Sequence, residues 1–225
     1  RSAPEERIML IDQVPEISSD LIWSALVRQP GLGVMIASHD RRYLYGNAQA
    51  GLMFFGDTDF KFDGASLDDL HAPEFVEERY RLVARIRESG DPLILRHIRR
   101  GKQLQSTLWP LKANEENSGA SVLIVTRHGA APWIDHITIE VVESKYADFG
   151  HLDVLTNREL EVLALLGEGK TIGEIGAQLH RSVKTIEKHR DSIARKLDVR
   201  SRVHLAKIAR DAGLELRDAQ LERLS

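Results

Sequence analysis

Residues 156–213, TNRELEVLALLGEGKTIGEIGAQLHRSVKTIEKHRDSIARKLDVRSRVHLAKIARDAG, decide the fold of the C-terminal part of this chain. Thr156 with Glu159, and Thr171 with Glu174, have the spacing of a capping box, in which hydroxyl and carboxylate each satisfy one free backbone N–H. A serine precedes each of two further helical patterns and can cap it in the same way. The stretch therefore predicts four short helices, and the short link between the second and third makes them meet at a sharp angle.

The third helix, predicted over residues 183–197, has two unlike sides. At 3.6 residues per turn, Ile186, Ile193 and Leu197 share one side, which predicts that this side is packed. The opposite side carries Lys184, Lys188, Asp191 and Arg195, with Glu187 on its flank. A helix packed on one side and cationic on the other is suited to enter a major groove of DNA. The alternative is an ordinary solvated helix face that is merely basic.

The charge around this helix favours the nucleic-acid interpretation. Residues 181–210 contain ten Lys or Arg and three acids, a local balance of +7, in a chain whose net charge is −3. Residues 1–150 hold 17 Lys or Arg and 22 acids, a balance of −5. A basic patch on an otherwise acidic protein is the electrostatic pattern of DNA binding, and it places the contacts in the C-terminal part.

The fourth helix, capped by Ser201, has two apolar edges. One edge can pack on the other helices and consists of Leu205, Ile208, Ala209 and Ala212. The other consists of Val203 and Ala206, beside Arg210. A second edge of small side chains on a surface helix suggests contact with a second copy, and hence a dimer that binds a two-fold symmetric DNA site.

The whole stretch resembles the C-terminal helix-turn-helix of the LuxR/NarL/GerE family of bacterial transcription regulators. The matching pieces are Leu155-Thr-x-Arg-Glu159, Gly169-x-Thr171, Glu174-Ile175, Leu179, Ser182, Thr185-Ile186-x-x-His189, Ile193 and Lys196-Leu197-x-Val199-x-Ser201-Arg202. The resemblance implies that Lys184, Thr185, Glu187, Lys188 and Asp191 face DNA, and that the helix beginning near Ser201 is a dimerisation helix. Arg195, Ser182, Arg181 and Thr171 complete our candidate DNA contacts. Gly176 stands where the family more often has alanine, which we interpret as close helix contact.

Two carboxylates on the proposed DNA face have two explanations. Glu187 and Asp191 can accept hydrogen bonds from cytosine amino groups, or they can pair with Lys184 and Lys188 on their own helix. They also permit a second function from another class. In that alternative the helix-turn-helix is repurposed as a protein-interaction module that binds another regulator rather than DNA.

The totals of the chain limit its class. With 225 residues, 42% of them apolar and 29% charged, the composition is that of a globular protein with one large or two modest domains. The absence of cysteine excludes disulfides and thiolate metal sites. No apolar run approaches the roughly 20 residues of a membrane span, and no signal peptide is visible. We therefore expect a cytoplasmic protein without a membrane partner.

The N-terminal part resembles a PAS-type sensor domain over residues 33–127. Two strand patterns, short helices and three further strand patterns follow one another, with Tyr45-Gly46-Asn47-Ala48 after the second strand. The resemblance implies a five-stranded antiparallel sheet with helices on one face and a pocket between them. No cofactor is predicted. A small ligand in this pocket, a domain used only for dimerisation and a domain that contacts partner proteins remain open as alternatives.

Three chemical interpretations are rejected. Residues 167–171, GEGKT, imitate the end of a P-loop, but Ala164 stands where that motif requires glycine and a helix precedes it in place of a strand. A phosphoacceptor receiver domain is disfavoured because Gln13 follows Asp12 in place of a second acid. No nucleophile elbow, carboxylate pair or metal-spaced histidine set is discernible, so neither catalysis nor a metal is predicted.

These observations predict an α+β protein of two domains. Residues 1–128 form a PAS-like sensor or dimerisation domain with its core at about 19–128, residues 129–152 are a linker, and residues 153–225 are an all-α four-helix domain. The predicted function is that of a dimeric, sequence-specific transcription regulator whose partner is double-stranded DNA. RNA polymerase and other regulators are further candidate partners.

Overall fold

Residues 33–128 build an antiparallel sheet in the order that the sequence predicts. The computed structural model describes residues 18–111, 119–129, 139–199 and 201–224. The strands are β1 (Gly33–Ser38), β2 (Tyr43–Gly46), β3 (Leu93–Arg99), β4 (Lys102–Pro110) and β5 (Ala120–His128). Their order across the sheet is β2-β1-β5-β4-β3, with every neighbouring pair antiparallel. This is the PAS-like arrangement expected from the sequence.

Four helices accompany this sheet. They are α1 (Ser19–Arg28), α2 (Ala48–Phe55), α3 (Leu67–Leu70) and α4 (Pro73–Ser89). Asn47 begins α2 by accepting a hydrogen bond from the amide of Ala50, and it also holds the N–H of Val34 on β1. Two buried apolar clusters fill the space between α2–α4 and the sheet. One includes Phe54 and Phe75, and the other includes Val83 and Ile86.

Among the described residues the sheet has seven strands, two more than the five that the sequence predicts. Strand β6 (Glu140–Ala147) lies in the segment predicted as a linker and pairs parallel to β3. Its side chains are largely exposed because it lies near the sheet edge, and for this reason its apolar alternation was too weak to identify it. Strand β7 (Glu222–Arg223) pairs parallel to β6 through two residues with no strand pattern of their own.

The C-terminal helices follow a 3-10 helix, Gly150–Leu152. They are α5 (Asn157–Gly167), α6 (Ile172–Gln178), α7 (Val183–Lys196) and α8 (Arg202–Ala212), and a second 3-10 helix, Leu216–Gln220, leads into β7. Helix α5 is buried almost all round, including Leu160, Leu163 and Leu166. One apolar cluster joins these helices to Ile98 of β3 and to Phe149. The helical part is thus packed directly against one end of the sheet.

Candidate nucleic-acid interface

The predicted capping boxes hold the helices around the candidate interface. Thr156 accepts from the amide of Glu159, and the Glu159 carboxylate accepts from the amide of Thr156 at 2.8 Å. Thr171 and Glu174 repeat this arrangement at the start of α6. Thr171 is exposed at the surface, and its hydroxyl also donates a hydrogen bond to the Glu174 carboxylate within the cap.

Glu159 also connects α5 to the last turn of α7. Its carboxylate accepts a hydrogen bond from Lys196 Nζ at 2.7 Å. Burial by itself would raise the pKa of the Glu159 carboxyl, but the hydrogen bonds from Lys196 and Thr156 outweigh burial and lower its pKa to about 2. Within residues 181–210, the basic stretch, Lys196 therefore serves as a structural cation.

The turn between α6 and α7 is tight because backbone approaches backbone. The amide of Arg181 donates to the carbonyl of Gly176 at 2.8 Å. A Cβ at Gly176 would lie 2.8 Å from the carbonyl oxygen of Arg181, closer than real Cβ contacts allow. This confirms the interpretation of Gly176 as a residue of close contact. His180 adopts a φ of 52°, in the left-handed region, and so reverses the chain between the helices.

Helix α7 presents the two sides that its period predicts. Ile186 and Ile193 are fully buried in the helical cluster. Ser182 caps the helix by accepting from the amide of Thr185, and the two hydroxyls lie 2.8 Å apart. Thr185 is half-buried, and the other candidates on this surface are exposed: Arg181, Ser182, Lys184, Glu187, Lys188, Asp191 and Arg195.

The cations of the basic stretch differ in what they contact. Oδ1 of Asp191 accepts a hydrogen bond from Nη2 of Arg190 at 2.7 Å. Asp191 therefore pairs with Arg190, and not with the predicted partners Lys184 and Lys188. Lys207 pairs with Asp211, and Arg202 donates to the carbonyl of Lys170 at 2.6 Å. Within the described ranges, four exposed cations have no ion-pair partner on this side of the domain. They are Arg181, Lys184, Lys188 and Arg195.

Helix α8 leaves its second edge exposed. Leu205, Ala209 and Ala212 are buried in the helical cluster, as predicted. Val203 is 71% exposed, the highest value among the large apolar residues described. Ala206 is half-buried and Arg210 is exposed beside it. The three candidate dimerisation residues thus form one accessible edge.

The expected pocket of the N-terminal part is a small, largely apolar cavity of about 40 Å³, room for about three water molecules. It lies between α4 and the inner face of the sheet. His97 and Ser106 are among its lining residues, and His97 Nε2 lies 3.0 Å from Ser106 Oγ. Nδ1 of His97 is buried without a hydrogen-bond partner among the described residues. Burial lowers the pKa of His97 well below its usual value, so the ring is neutral.

His71 is a second buried histidine, beneath the aromatic cluster of α2. Its Nε2 lies 2.8 Å from the hydroxyl of Tyr43, and Arg99 lies 3.1 Å from its Nδ1. Burial, with the positive charges of Arg99 and Arg79, lowers the pKa of His71 to about 3. Among residues 18–111, 119–129, 139–199 and 201–224, no group of three or more acidic or histidine side chains is arranged to hold a metal.

A buried charged group joins the sheet to the C-terminal segment and was not predicted from the sequence. Arg96 of β3 and Asp218 of the second 3-10 helix form an ion pair whose side chains are 3% and 1% exposed. The available signal was an arginine directly after the apolar run Leu93-Ile94-Leu95 of β3. Its partner lies 122 residues away, so no local pattern could identify it.

No helix in the described parts of the chain has both the length and the apolar character needed to cross a membrane.

Comparison with known proteins identifies the helical part. Residues 153–209 match the family described as "Bacterial regulatory proteins, luxR family". The chain is 43% identical over 79 residues to the uncharacterized response regulatory protein YgeK of Escherichia coli K12, covering 35% of this chain and 52% of YgeK. It is 50% identical over 52 residues to the transcriptional regulatory protein LiaR of Bacillus subtilis, covering 23% of this chain and 25% of LiaR. The chain thus spans about half or less of the length of these relatives.

A solved structure of VqmA from Vibrio cholerae, described as a complex with ligand and DNA, is also similar. It shares 18% identity and a TM-score of 0.49, and the match covers 94% of this chain and 96% of that one.

Proposed function

Residues 153–209 form a LuxR-type helix-turn-helix domain, and from this premise we propose that the protein is a sequence-specific, DNA-binding transcription regulator. One observation carries the proposal: α7 is anchored by buried Ile186 and Ile193, while its other side exposes Lys184, Lys188 and Arg195, which have no ion-pair partner among the residues that the structure describes. A positive, unpaired helix face of this kind can enter a major groove and neutralise phosphates without first breaking ion pairs. The partner is double-stranded DNA, and the protein is no enzyme.

The candidate contacts divide by role in this proposal. Lys184, Lys188, Arg195 and Arg181 bind phosphates or base edges. Thr185, Glu187 and Asp191 line the same face and tune its preference for sequence, since a carboxylate can accept only from a base donor such as cytosine N4. Ser182 and Thr171 combine a capping role with a position at helix N-termini, where backbone N–H groups attract phosphate.

The regulator acts as a homodimer in this proposal. Val203, Ala206 and Arg210 on α8 form the exposed edge that a second copy would cover. Two copies related by a two-fold axis would place two α7 helices on one face, to bind two half-sites of a palindromic site. Because its target is DNA, we place the protein in the cytoplasm.

The division into a sensor or dimerisation domain (1–128), a linker (129–152) and a DNA-binding domain (153–225) stays a prediction.

Regulation would come from the cavity against the sheet. Nδ1 of His97, which is buried and has no hydrogen-bond partner in the described parts of the chain, suits a small uncharged ligand with one hydrogen-bonding group. Filling the cavity with Ala37→Val tests this half of the proposal. It should change DNA affinity, whereas Ala84→Val on the exposed side of α4 should leave it unchanged.

The DNA half is tested by selection followed by titration. The purified protein selects duplexes from a genomic library, and fluorescence anisotropy then measures affinity against salt concentration. Lys188→Ala should weaken binding and reduce the slope of log affinity against log salt by about 1. Lys61→Ala, which removes an exposed lysine from the N-terminal part, is the matched control and should have no effect. Salt-independent binding, or no selected duplex, would overturn the proposal.

The second candidate is a protein-interaction module. It is favoured by Glu187, an exposed carboxylate on the proposed DNA face with no ion-pair partner in the described parts of the chain. Lys184→Glu separates the two functions. Reversal of this charge should abolish binding to DNA, but it should leave binding to a co-purified regulator intact if that is the true partner.

A further inference from the structure

A buried ion pair joins the sheet to the segment that follows α8. Nη1 of Arg96 donates to Oδ1 of Asp218 at 2.6 Å, and Nη2 donates to Oδ2 at 2.9 Å. This is a bidentate, charge-assisted arrangement, which fixes the relative orientation of the two groups as well as their distance. Because both side chains are almost fully buried, solvent does not compete with the contact.

The surroundings of the pair extend the contact between the two parts. Glu143 of β6 lies 3.1 Å from Nη1 of Arg96, and Glu215 lies 3.0 Å from Nη2. The Gln103 amide, oriented with its oxygen toward Arg96, accepts from Nε at 2.5 Å and donates to the carbonyl of Gly213 at 2.9 Å. Strands β3, β4 and β6 therefore all contribute to one polar junction with the C-terminal segment.

The approach at this junction is close. Gly213 ends α8 with a φ of 64°, and a Cβ there would lie 2.9 Å from Cβ of Gln103. Beyond the ion pair, β7 adds to the sheet, and the amide of Leu224 donates to the carbonyl of Ala147 at 3.0 Å. The residues after α8 thus fold back over the sheet and attach the helical part to it.

The position of Arg96 connects this junction to the cavity. Side chains alternate along a strand, so neighbouring residues point to opposite faces of the sheet. Leu95 and His97 line the cavity on the inner face, and Arg96 between them meets Asp218 on the outer face. The exposed face of α7 takes no part in the junction, so it remains open to DNA.

We propose that Arg96, Gln103 and Asp218 form an interdomain latch that fixes the orientation of the DNA-binding domain relative to the sheet. In a dimer, two closed latches set the separation of the two α7 helices and thereby the spacing of half-sites that the protein accepts. A fixed orientation also reduces the ordering cost of binding both half-sites. The effect on DNA rests on the proposed function, whereas the latch itself does not.

The latch is tested first without DNA, by distance measurement. The chain has no cysteine, so Ala84→Cys on α4 and Gln178→Cys on α6, both exposed, provide the only thiols for two spin labels. Labelled protein is diluted with excess unlabelled protein so that only distances within one chain are measured. Double electron–electron resonance should give one narrow distance distribution for the parent.

Three variants then test the latch: one breaks the ion pair, one restores it with the charges exchanged, and one is a control outside the latch. Asp218→Asn removes one charge but leaves Arg96 with Glu143 and Glu215, so the protein should fold, and its distance distribution should broaden. Arg96→Asp combined with Asp218→Arg should narrow it again. Asp211→Asn, which removes an exposed carboxylate from α8, should leave it unchanged. An unchanged distribution in Asp218→Asn overturns the latch. Should that variant not fold, Arg96→Gln with Asp218→Asn replaces it, and a narrow distribution there has the same consequence.

DNA binding provides the functional readout. On a selected palindromic duplex, Asp218→Asn should weaken binding about fivefold or more, the usual range of coupling between sites. It should bind a single half-site as the parent does, and it should tolerate half-sites moved apart by one or two base pairs better than the parent. Equal spacing preference in parent and variant would overturn the role of the latch in site selection. Failure of both proteins to bind any duplex would instead contradict the proposed function and leave the distance result standing.

Discussion

The chain holds cations in two opposite environments. On α7, Lys184 and Lys188 are exposed and lack ion-pair partners among the described residues. In the sheet, Arg96 is 3% exposed and surrounded by Asp218, Glu143 and Glu215. The first group can bind an external anion without breaking an internal ion pair, because these charges are solvated and have no ion-pair partner among the described residues. The second group is paired with internal carboxylates and is therefore not available to an external anion.

The comparison shows that local charge does not by itself identify a DNA contact. Within the basic stretch Lys196 belongs with the buried cations in function, because it holds Glu159 at the start of α5. Arg190 is likewise occupied by Asp191. Burial and partners, rather than the balance of +7, decide which cations remain available to phosphate.

The largest expected effect comes from breaking the buried group. Arg96→Ala leaves the Asp218 carboxylate buried without its counter-ion, and we expect the free energy of unfolding to fall by about 3–5 kcal/mol. Lys184→Ala removes an exposed cation and should change it by no more than about 0.5 kcal/mol. Urea denaturation measures both. Similar losses in the two variants would remove the distinction between the environments.

The next effect concerns the packed side of α7, opposite its exposed cations. Ile193→Ala removes a fully buried side chain, and we expect a loss of about 2–4 kcal/mol in the free energy of unfolding. DNA affinity should fall with it, because the cationic face depends on this anchor. Val183→Ala, at a half-exposed position of the same helix, is the control and should cost well under half as much.

The buried histidine His71 also makes stability depend on pH. The pKa of His71 is about 3 in the folded protein and about 6.5 when unfolded, owing to burial and to Arg99 and Arg79. The unfolded state therefore binds more protons below pH 6.5, and stability is lost as pH falls from 6.5 toward 3, by up to about 1.4 kcal/mol per unit for this group. Denaturation at pH 7 and pH 5 measures the slope. His71→Gln should reduce the slope, and the remaining slope should include the contribution of buried His97, whose pKa is also lowered. His204→Gln, at an exposed position, is the control and should leave the slope unchanged.

The smallest expected effect is on DNA affinity and comes from changing an acid beside the exposed cations of α7. Asp191→Asn releases Arg190 and removes a carboxylate that would face phosphate. Because exposed ion pairs contribute only about 0.2–1 kcal/mol, we expect DNA affinity to rise about two- to fivefold at low salt with unchanged stability. Anisotropy titrations at two salt concentrations measure this. A fall in affinity would indicate that Asp191 accepts a hydrogen bond from a base.

Local patterns were sufficient for the helical part. Both capping boxes, the serine caps of α7 and α8, and the buried side of α7 were predicted because each depends on residues three or four positions apart. Strands β1 to β5 were predicted for a similar reason, because clear turn signals separate their apolar runs. The weakly patterned β6 and the two-residue β7 were missed, because only their pairing with β3 and β6 makes them strands.

By itself, the sequence determined the four C-terminal helices, the cationic side of α7 and the order of strands from β1 to β5. Helix periodicity and capping act over a few residues, so they can be recognised without the fold. Only the tertiary structure decided that Arg96 meets Asp218, that Nδ1 of His97 has no hydrogen-bond partner among the described residues, and that Lys196 is structural. Each of these depends on which distant residue excludes water from a charge, and that is set by packing.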